Sequence, residues 1–311
     1  MIENKSISQI KSSLLLLLAS VVWGAAFVAQ SIAGESVGTL TFNGIIFIIG
    51  GICLLPVLHK QRKKDLTNDQ VLSAFKGGIL CGIALFLAST FQQAGLALGA
   101  EAGEAGFVTA FYIILVPILG IFIHRKCPKL VWLCVGIALM GLYFLCIPSG
   151  SAIKQISLAD MMLLLCAFLF SVQILGVDHY APRINPVLLT CTQFFTAGAI
   201  SLVSALFFEL LKDPAGWLSS LSSLNAWIPI LYTGVFSSAV GYTLQAVGQR
   251  NLNPTLASLI MSMESVFSTL FGWIILGQVF SQREALGCIL IFSAIILSQL
   301  SPVFSSRLRK K

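Results

Sequence analysis

The hydrophobic pattern of the chain consists of ten long apolar stretches separated by short polar segments. Each stretch approaches the roughly 20 apolar residues that a helix needs to cross a bilayer core. The predicted spans are 13–32, 38–58, 75–98, 104–123, 130–148, 158–177, 186–208, 225–248, 254–278 and 284–302. Because they use most of the 311 residues, no separate soluble domain is expected. The pattern predicts an all-α polytopic membrane protein with ten transmembrane helices.

Composition and charge agree with this prediction. Hydrophobic residues make up 57% of the chain and charged residues only 10%, against about 25% charged in soluble domains. If the N-terminus is cytoplasmic, sixteen of the basic residues fall on the inner side of the membrane and three on the outer side. This bias predicts a multi-pass protein of the inner or plasma membrane with both termini in the cytoplasm. The basic runs HKQRKK and RLRKK are interpreted as topology signals beside anionic lipid, and a nucleic-acid partner is not expected.

The two halves of the chain resemble each other weakly. The stretch FQQAGLALGAEAGEAGF of the first half corresponds to LQAVGQRNLNPTLASL of the second. Five predicted spans fall in 13–148 and five in 158–302, with the boundary in PSGSAIKQISLAD at 148–160. Because five is odd, the second half must enter the membrane from the opposite side. The expected architecture is therefore an inverted repeat, which is typical of secondary transporters with a site near the midplane.

Short motifs in both halves carry a family resemblance. They are VVWGAAF in the first span, FNG in the second, and QQAGL with AGEAGF in the third and fourth, followed by YTLQ, GQ, PT and FGW in the second half. Their order and spacing resemble the EamA family of the drug/metabolite transporter superfamily, over Leu14 to Leu300. The resemblance implies ten helices and alternating-access movement of small organic metabolites, often outward, as in efflux.

The chain departs from that family pattern at two positions. Ile46 follows FNG where members often carry an arginine, and Ser265 follows Glu264 where they often carry a proline. Without that arginine, a neutral, zwitterionic or cationic solute is favoured over an anion. Without that proline, the ninth span is expected to lose a kink, which leaves Pro117 as the remaining mid-helix break.

A carboxylate in the middle of an apolar span is the sharpest candidate for function. Glu264 lies within LIMSMESVFSTLFGWIILG, where a charge costs roughly 2.5–3.5 kcal/mol on insertion scales. A stripe of Ser, Thr and Gly residues beside it predicts close helix packing, so Glu264 is expected to face inward. Burial opposes ionisation, which suits the residue to hold and release a proton. The alternative is a structural carboxylate bonded to a neighbouring side chain.

Polar and aromatic residues complete the predicted substrate-binding or coupling set. Gln92 and Gln93 in the third span correspond in position to Tyr242 and Gln245 in the eighth. Paired amides can orient a polar solute, or they can simply join helices. Trp23 and Tyr112 lie within spans and are predicted to line a cavity.

The residues argue against other classes of protein. No P-loop is present, no histidine lies inside a predicted span, and the aspartates are scattered. An enzyme, an ATP-driven pump, a metal site and a cofactor are therefore not expected. A secondary transporter of a small-molecule substrate is the main hypothesis, with protons as the suggested coupling ion and a channel or membrane scaffold as the alternative. The oligomeric state is left open.

Overall fold

The computed structural model describes residues 2–34, 36–61, 68–124, 128–146, 157–277 and 281–308. These residues form helices and connecting turns, without a strand. The helices are α1 Ile2–Gly34, α2 Thr39–Gln61, α3 Asn68–Ala97, α4 Ala102–Thr109, α5 Tyr112–Phe122, α6 Lys129–Cys146 and α7 Leu158–Tyr180. They continue as α8 Pro186–Ala205, α9 Pro214–Ser222, α10 Leu224–Tyr232, α11 Thr243–Gln249, α12 Pro254–Met261, α13 Met263–Leu276 and α14 Gln282–Leu308.

Two π-helical segments complete the element order. Leu206–Leu210 extends α8, and Thr233–Tyr242 joins α10 to α11. The predicted boundary between the halves falls mostly on residues 147–156, which lie outside the described residues.

Seven helical segments in the described part of the chain are long and apolar enough to cross a membrane. They are Ser8–Gly34, Thr39–Gln61, Gln70–Ala97, Ala102–Phe122, Leu158–Tyr180, Pro186–Leu210 and Pro254–Leu276. Lys129–Phe144 is a shorter apolar helix. Large apolar side chains also cover the outer surface; Phe122 is 76% exposed and Ile274 is 67% exposed. The polytopic, all-helical membrane fold is therefore confirmed, while the number of ten spans stays a prediction.

Asparagine–proline pairs begin two of these helices. The Asn185 side chain accepts a hydrogen bond from Val187 N at 2.9 Å at the start of α8, and Asn253 accepts one from Thr255 N at 2.9 Å at the start of α12. The following proline has no N–H to leave unpaired and already has a helical φ. Both helices thus begin at a position that the local sequence specifies.

Two helices are interrupted near their middle. α4 ends at Thr109 and α5 begins at Tyr112, whereas α12 ends at Met261 and α13 begins at Met263. Tight i→i−3 bonds occur there beside the remaining i→i−4 bonds, including Ile113 N to Ala110 O at 3.0 Å and Ser265 N to Ser262 O at 3.1 Å. Such short 3₁₀ turns inside helices often mark functional positions.

The expectation about helix breaks was wrong at both places. The second interruption occurs at Ser262 without a proline, and Pro117 lies inside α5 rather than at a break. Hydroxyl groups supply the local reason, because Ser258 and Ser262 donate to the carbonyl oxygens of residues three positions earlier, at 3.0 Å and 2.8 Å. Side-chain bonds of this kind compete with the regular ladder and bend helices.

Small residues bring α1, α4 and α13 into close contact. A Cβ atom on Gly24 of α1 would lie 2.8 Å from the Phe267 carbonyl carbon and 2.9 Å from Ser268 N. Ser265 donates a hydrogen bond of 2.8 Å to the Gly106 carbonyl oxygen of α4. The predicted packing stripe on α13 therefore lies at a helix interface, and this packing holds Glu264 inside the bundle.

Candidate functional site

A polar cavity lies among α1, α3, α7, the second π-helical segment, α11 and the two interrupted helices. Its lining is Trp23, Ala26, Phe27, Gln30, Gln92, Thr109, Tyr112, Phe170, Gln173, Ile174, Ser237, Tyr242, Gln245, Met261 and Glu264. The cavity leaves about 40 Å³ for the centres of water-sized molecules. That is room for roughly three waters, since each needs about 10–15 Å³ on this measure.

Both helix interruptions reach this central cavity. Thr109 is the last residue of α4 and Tyr112 the first of α5, and both side chains line it. Met261 ends α12 and Glu264 lies in the first turn of α13, and both of these also line it. In membrane transporters, interrupted helices bring backbone and side-chain polar groups to a midplane site.

Glu264 is buried, with 5% of its surface exposed. Its Oε1 and the buried Tyr112 hydroxyl make no hydrogen bond of normal length to any described residue, although at longer range Tyr112 and Glu264 face each other as a hydrogen-bonding pair. The two groups are nonetheless close enough to interact electrostatically. Among the described residues that line the cavity, Glu264 is the one carboxylate and none is basic. The charge of a carboxylate there would lack a counter-ion in the lining.

Glutamine side chains form a chain of amides at one side of the cavity. Gln245 Nε2 donates to Gln173 Oε1 at 3.1 Å, and Gln173 Nε2 donates to Gln193 Oε1 at 3.2 Å. This direction leaves Gln245 Oε1 buried without a hydrogen bond to the described residues. At another point of the wall, Gln92 Nε2 lies 3.4 Å from Thr109 Oγ1. The amides are therefore held in fixed orientations, which a site for a polar solute requires.

Aromatic rings form another part of the cavity wall. The ring centroids of Trp23 and Tyr242 lie 5.0 Å apart at an interplanar angle of 60°. Trp23 Nε1 donates to the Ser237 carbonyl oxygen at 3.2 Å, and Gly241 allows the indole to lie directly against the helix backbone. Tilted pairs of this kind are favourable for aromatic rings, and they hold the two side chains in place.

Six of the seven residues predicted from the sequence line the central cavity: Trp23, Gln92, Tyr112, Tyr242, Gln245 and Glu264. The seventh, Gln93, is 1% exposed, lies outside the lining and donates to the Gln30 carbonyl oxygen at 3.0 Å. These are positions in the fold; the binding or coupling role of all seven residues stays a prediction.

Sequence reasoning missed several lining residues, among them Gln30, Thr109 and Ser237. Gln30 could have been found, because residues 23, 26, 27 and 30 follow helical spacing on one face of the first span. Thr109 and Ser237 gave no such signal, since serine and threonine commonly satisfy helix backbone groups inside membranes.

A smaller side cavity adjoins the central one. It is lined by Gln30, Asn43, Ile46, Phe47, Ser89, Gln92, Thr233, Ser237, Ser238 and Tyr242. It leaves about 20 Å³ for water-sized molecules. Ile46, at the position where the family resemblance predicted an arginine, is 3% exposed and forms part of this wall.

A helical membrane protein with a polar cavity between interrupted helices has the features of a solute transporter. The sequence model of the EamA-like transporter family matches residues 10–147 and 157–300, and the chain belongs to this family. The resemblance to the EamA family that the sequence motifs indicated is thus confirmed. Because this is a family of transporters, the expectation that the chain is not an enzyme agrees with its membership.

Individual relatives support the same class. An uncharacterized transporter of Archaeoglobus fulgidus is 30% identical over 299 residues, covering 95% of this chain and 88% of the relative. The threonine/homoserine exporter RhtA of Escherichia coli K12 is 25% identical over 291 residues, covering 90% and 88%. The uncharacterized inner membrane transporter YedA of the same strain is 24% identical over 280 residues, covering 89% and 87%.

Solved structures agree on the fold. One crystal structure has a TM-score of 0.72 and 18% sequence identity to this chain, and the match covers 96% of this chain and 98% of the other. The chain is a multi-pass membrane transporter.

Proposed function

We propose that the protein is a secondary transporter that exports small polar metabolites across the inner or plasma membrane by alternating access. The observation that carries this proposal is the central cavity, which lies where two interrupted helices meet. A site between two moving halves can be exposed to each side of the membrane in turn. The name of the relative RhtA, a threonine/homoserine exporter, supports small amino acids as the first solutes to test.

An inverted repeat of 13–148 and 158–302 is part of the proposal. It is supported by reciprocal helix contacts: α2 packs against α8, and α6 packs against α14. In such a repeat α1 corresponds to α7, α3 to α11, and α5 to α13. The contact of α1 with α13 then corresponds to that of α7 with α5, and the contact of α3 with α7 corresponds to that of α11 with α1. A twofold axis in the membrane plane would generate such pairs. It would also relate the two interrupted helices, one from each half.

The orientation of the chain is proposed from its charge distribution. Both termini are placed in the cytoplasm because sixteen basic residues then face inward and three outward. A reporter fused after Lys311 should be active only on the cytoplasmic side, and activity confined to the outer side would contradict this topology.

Reconstituted flux tests the proposed function. Proteoliposomes with the full-length protein should take up labelled L-homoserine or L-threonine faster when they are preloaded with the same solute. The rate should saturate as the external concentration rises, because each cycle of a carrier occupies one site. Flux that stays proportional to concentration would instead indicate a channel. If neither amino acid moves, metabolites from overexpressing and deletion cells give the next solutes to test, and the proposal fails if none of these moves.

Gln245→Ala is expected to lower flux per folded molecule by about tenfold. The change removes a cavity amide and leaves the buried Gln173 Oε1 without its donor, and leaving a buried acceptor unpaired costs roughly 1–3 kcal/mol. Gln93→Ala is likewise predicted to lower flux, by a smaller factor because Gln93 lies behind the lining. Initial rates should be divided by the amount of monodisperse protein.

Gln249→Ala is the matched control for these variants. Gln249 lies one turn from Gln245 on α11, is equally buried and belongs to neither cavity lining. Its side chain donates to the Ile174 carbonyl oxygen. It should lower protein yield more than flux per molecule. Equal loss of flux per molecule in the Gln245 and Gln249 variants would mean that Gln245 serves helix packing alone.

A further inference from the structure

The two cavities share four lining residues: Gln30, Gln92, Ser237 and Tyr242. They are therefore neighbouring compartments separated by single side chains. We call them the central and side compartments. On the volumes given above they hold roughly three and one or two water-sized groups. A solute that occupied both at once would be about the size of a small amino acid.

The unpaired polar atoms of the central compartment are mainly acceptors. Glu264 Oε1 and Gln245 Oε1 are buried in its wall without a hydrogen bond to the described residues. Gln245 Oε1 faces the compartment as an acceptor because Gln245 Nε2 already donates to Gln173 Oε1. Tyr112 adds a hydroxyl that can donate or accept. This wall is complementary to a group with several N–H donors.

The side compartment has the opposite character. Asn43, 2% exposed, has an Nδ2 without an acceptor among the described residues, and Thr233, 1% exposed, has an unpaired hydroxyl. Both line this compartment, together with the apolar Ile46 and Phe47. Buried polar groups in native proteins nearly always have a partner. An acceptor on a bound solute would satisfy the Asn43 amide and the Thr233 hydroxyl together.

We propose that the two compartments form one bipartite site for a small solute with an ammonium group at one end and a hydrogen-bond acceptor at the other. This inference rests on the proposed transport function and specifies its substrate class. The ammonium group lies in the central compartment, where it donates to Glu264 and Gln245. The acceptor lies in the side compartment, where it receives hydrogen bonds from Asn43 and Thr233.

Two further observations favour this orientation. Trp23 and Tyr242, whose rings pack against each other at 5.0 Å, also line the central compartment, and aromatic rings attract a neighbouring cation but not an anion. In addition, no basic residue lines either compartment in the described part of the chain. A solute that is only an anion would therefore lose its water without gaining a counter-charge.

Four ligands that differ by one group test the inference on the purified full-length protein. They are L-homoserine, 3-amino-1-propanol without the carboxylate, L-2-aminobutyrate without the hydroxyl, and 4-hydroxybutyrate without the ammonium group. Dissociation constants come from ligand-induced shifts of the melting temperature. The wild-type protein should bind homoserine most tightly and 4-hydroxybutyrate at least tenfold more weakly.

Two variants then assign the ends of the site. Glu264→Gln should weaken the three ammonium ligands and remove most of their advantage over 4-hydroxybutyrate. Asn43→Leu should weaken homoserine binding to the level of one of the analogues. That analogue is 3-amino-1-propanol if the carboxylate occupies the side compartment, and L-2-aminobutyrate if the hydroxyl does. That comparison also distinguishes a carboxylate from a hydroxyl as the acceptor. If Asn43→Leu does not fold, Thr233→Val removes the second donor with almost no change in shape.

The control is Gln249→Leu, which places the same apolar side chain at a buried amide outside both compartments. It should leave the order of the four ligands unchanged. The bipartite site is overturned if the wild-type protein binds 4-hydroxybutyrate as tightly as homoserine, or binds none of the ammonium ligands. It is also overturned if the Asn43 and Glu264 variants weaken all four ligands by one common factor. Saturable flux of a solute without an ammonium group would reject the bipartite site while preserving the transport function.

Discussion

Glu264→Gln is expected to abolish accumulation of solute driven by a pH gradient while solute exchange across the membrane continues. The amide keeps the shape of the carboxyl group and can still accept a hydrogen bond at the central cavity, but it cannot release a proton. Two opposing influences act on Glu264: burial opposes a negative charge, whereas the first turn of α13 favours one. A group under such opposing influences is suited to exchange a proton as its surroundings change.

The measurement is uptake of labelled homoserine into proteoliposomes, with and without an imposed pH gradient. The gradient should raise accumulation by the wild-type protein at least tenfold and have no effect on the variant. Counterflow at equal pH and at saturating homoserine should remain within about tenfold of wild type, because saturation offsets the weaker ammonium binding of this variant and one hydrogen bond contributes roughly 0.5–1.5 kcal/mol.

The same chemical change at Glu101 provides the control. Glu101 is exposed at the start of α4 and makes no side-chain capping bond, so Glu101→Gln should keep full gradient-driven accumulation. Unchanged accumulation by the Glu264 variant would eliminate the coupling role. Loss of counterflow even at saturating homoserine would show that the transport cycle itself, and not coupling alone, requires the Glu264 carboxyl group.

Gly24→Val should prevent correct assembly of the bundle. Its side chain would occupy the space of Phe267 Cβ and of the α13 backbone at Phe267 and Ser268. Backbone atoms cannot move aside like the end of a flexible side chain, so α1 and α13 would have to separate. Overpacking commonly costs 1–3 kcal/mol, and we expect about 3 kcal/mol or more because the contacts involve backbone. The yield of monodisperse protein and its melting temperature measure the effect.

Gly136→Val carries the same substitution to a site with no atom within 4 Å of the added Cβ, on the exposed face of α6. It should change the stability by less than about 1 kcal/mol, which is the scale of helix-propensity differences. A Gly24 variant as stable as the Gly136 variant would show that α1 and α13 do not pack as closely as described.

Hydrophobic pattern alone predicted most of the helical segments, and in the described part of the chain seven of them are long and apolar enough to cross a membrane; the short helix α9 lies between two predicted spans and was missed. The lipid core requires long apolar runs with internally bonded backbones, so these runs identify membrane helices without reference to their neighbours. Six of the seven site candidates predicted from the sequence line the central cavity, and they could be predicted for a similar reason. A carboxylate, an amide or an indole within such a run is costly unless it faces other protein, so Glu264, Gln245 and Trp23 were expected inside the bundle.

The positions of the helix breaks were less predictable. Proline suggested a break at Pro117, yet the interruptions lie at residues 110–111 and at Ser262. Serine hydroxyls and close packing against α4 decide the second one, through contacts such as Ser265 with Gly106. A serine-rich sequence is compatible with either a continuous or an interrupted helix, and the choice depends on what the neighbouring helix offers.

The sequence by itself determined that the chain is a helical membrane protein, which family it resembles, and which polar residues are hidden from lipid. Only the tertiary structure decided which of those residues meet. Gln92 and Gln93 are adjacent in sequence, but helix geometry turns Gln92 to the cavity and Gln93 to the Gln30 carbonyl of α1. Asn43 and Thr233 share the side compartment although they come from opposite halves of the chain. Helix period fixes the face on which a residue lies, whereas the rotation and contacts of each helix depend on every helix packed around it.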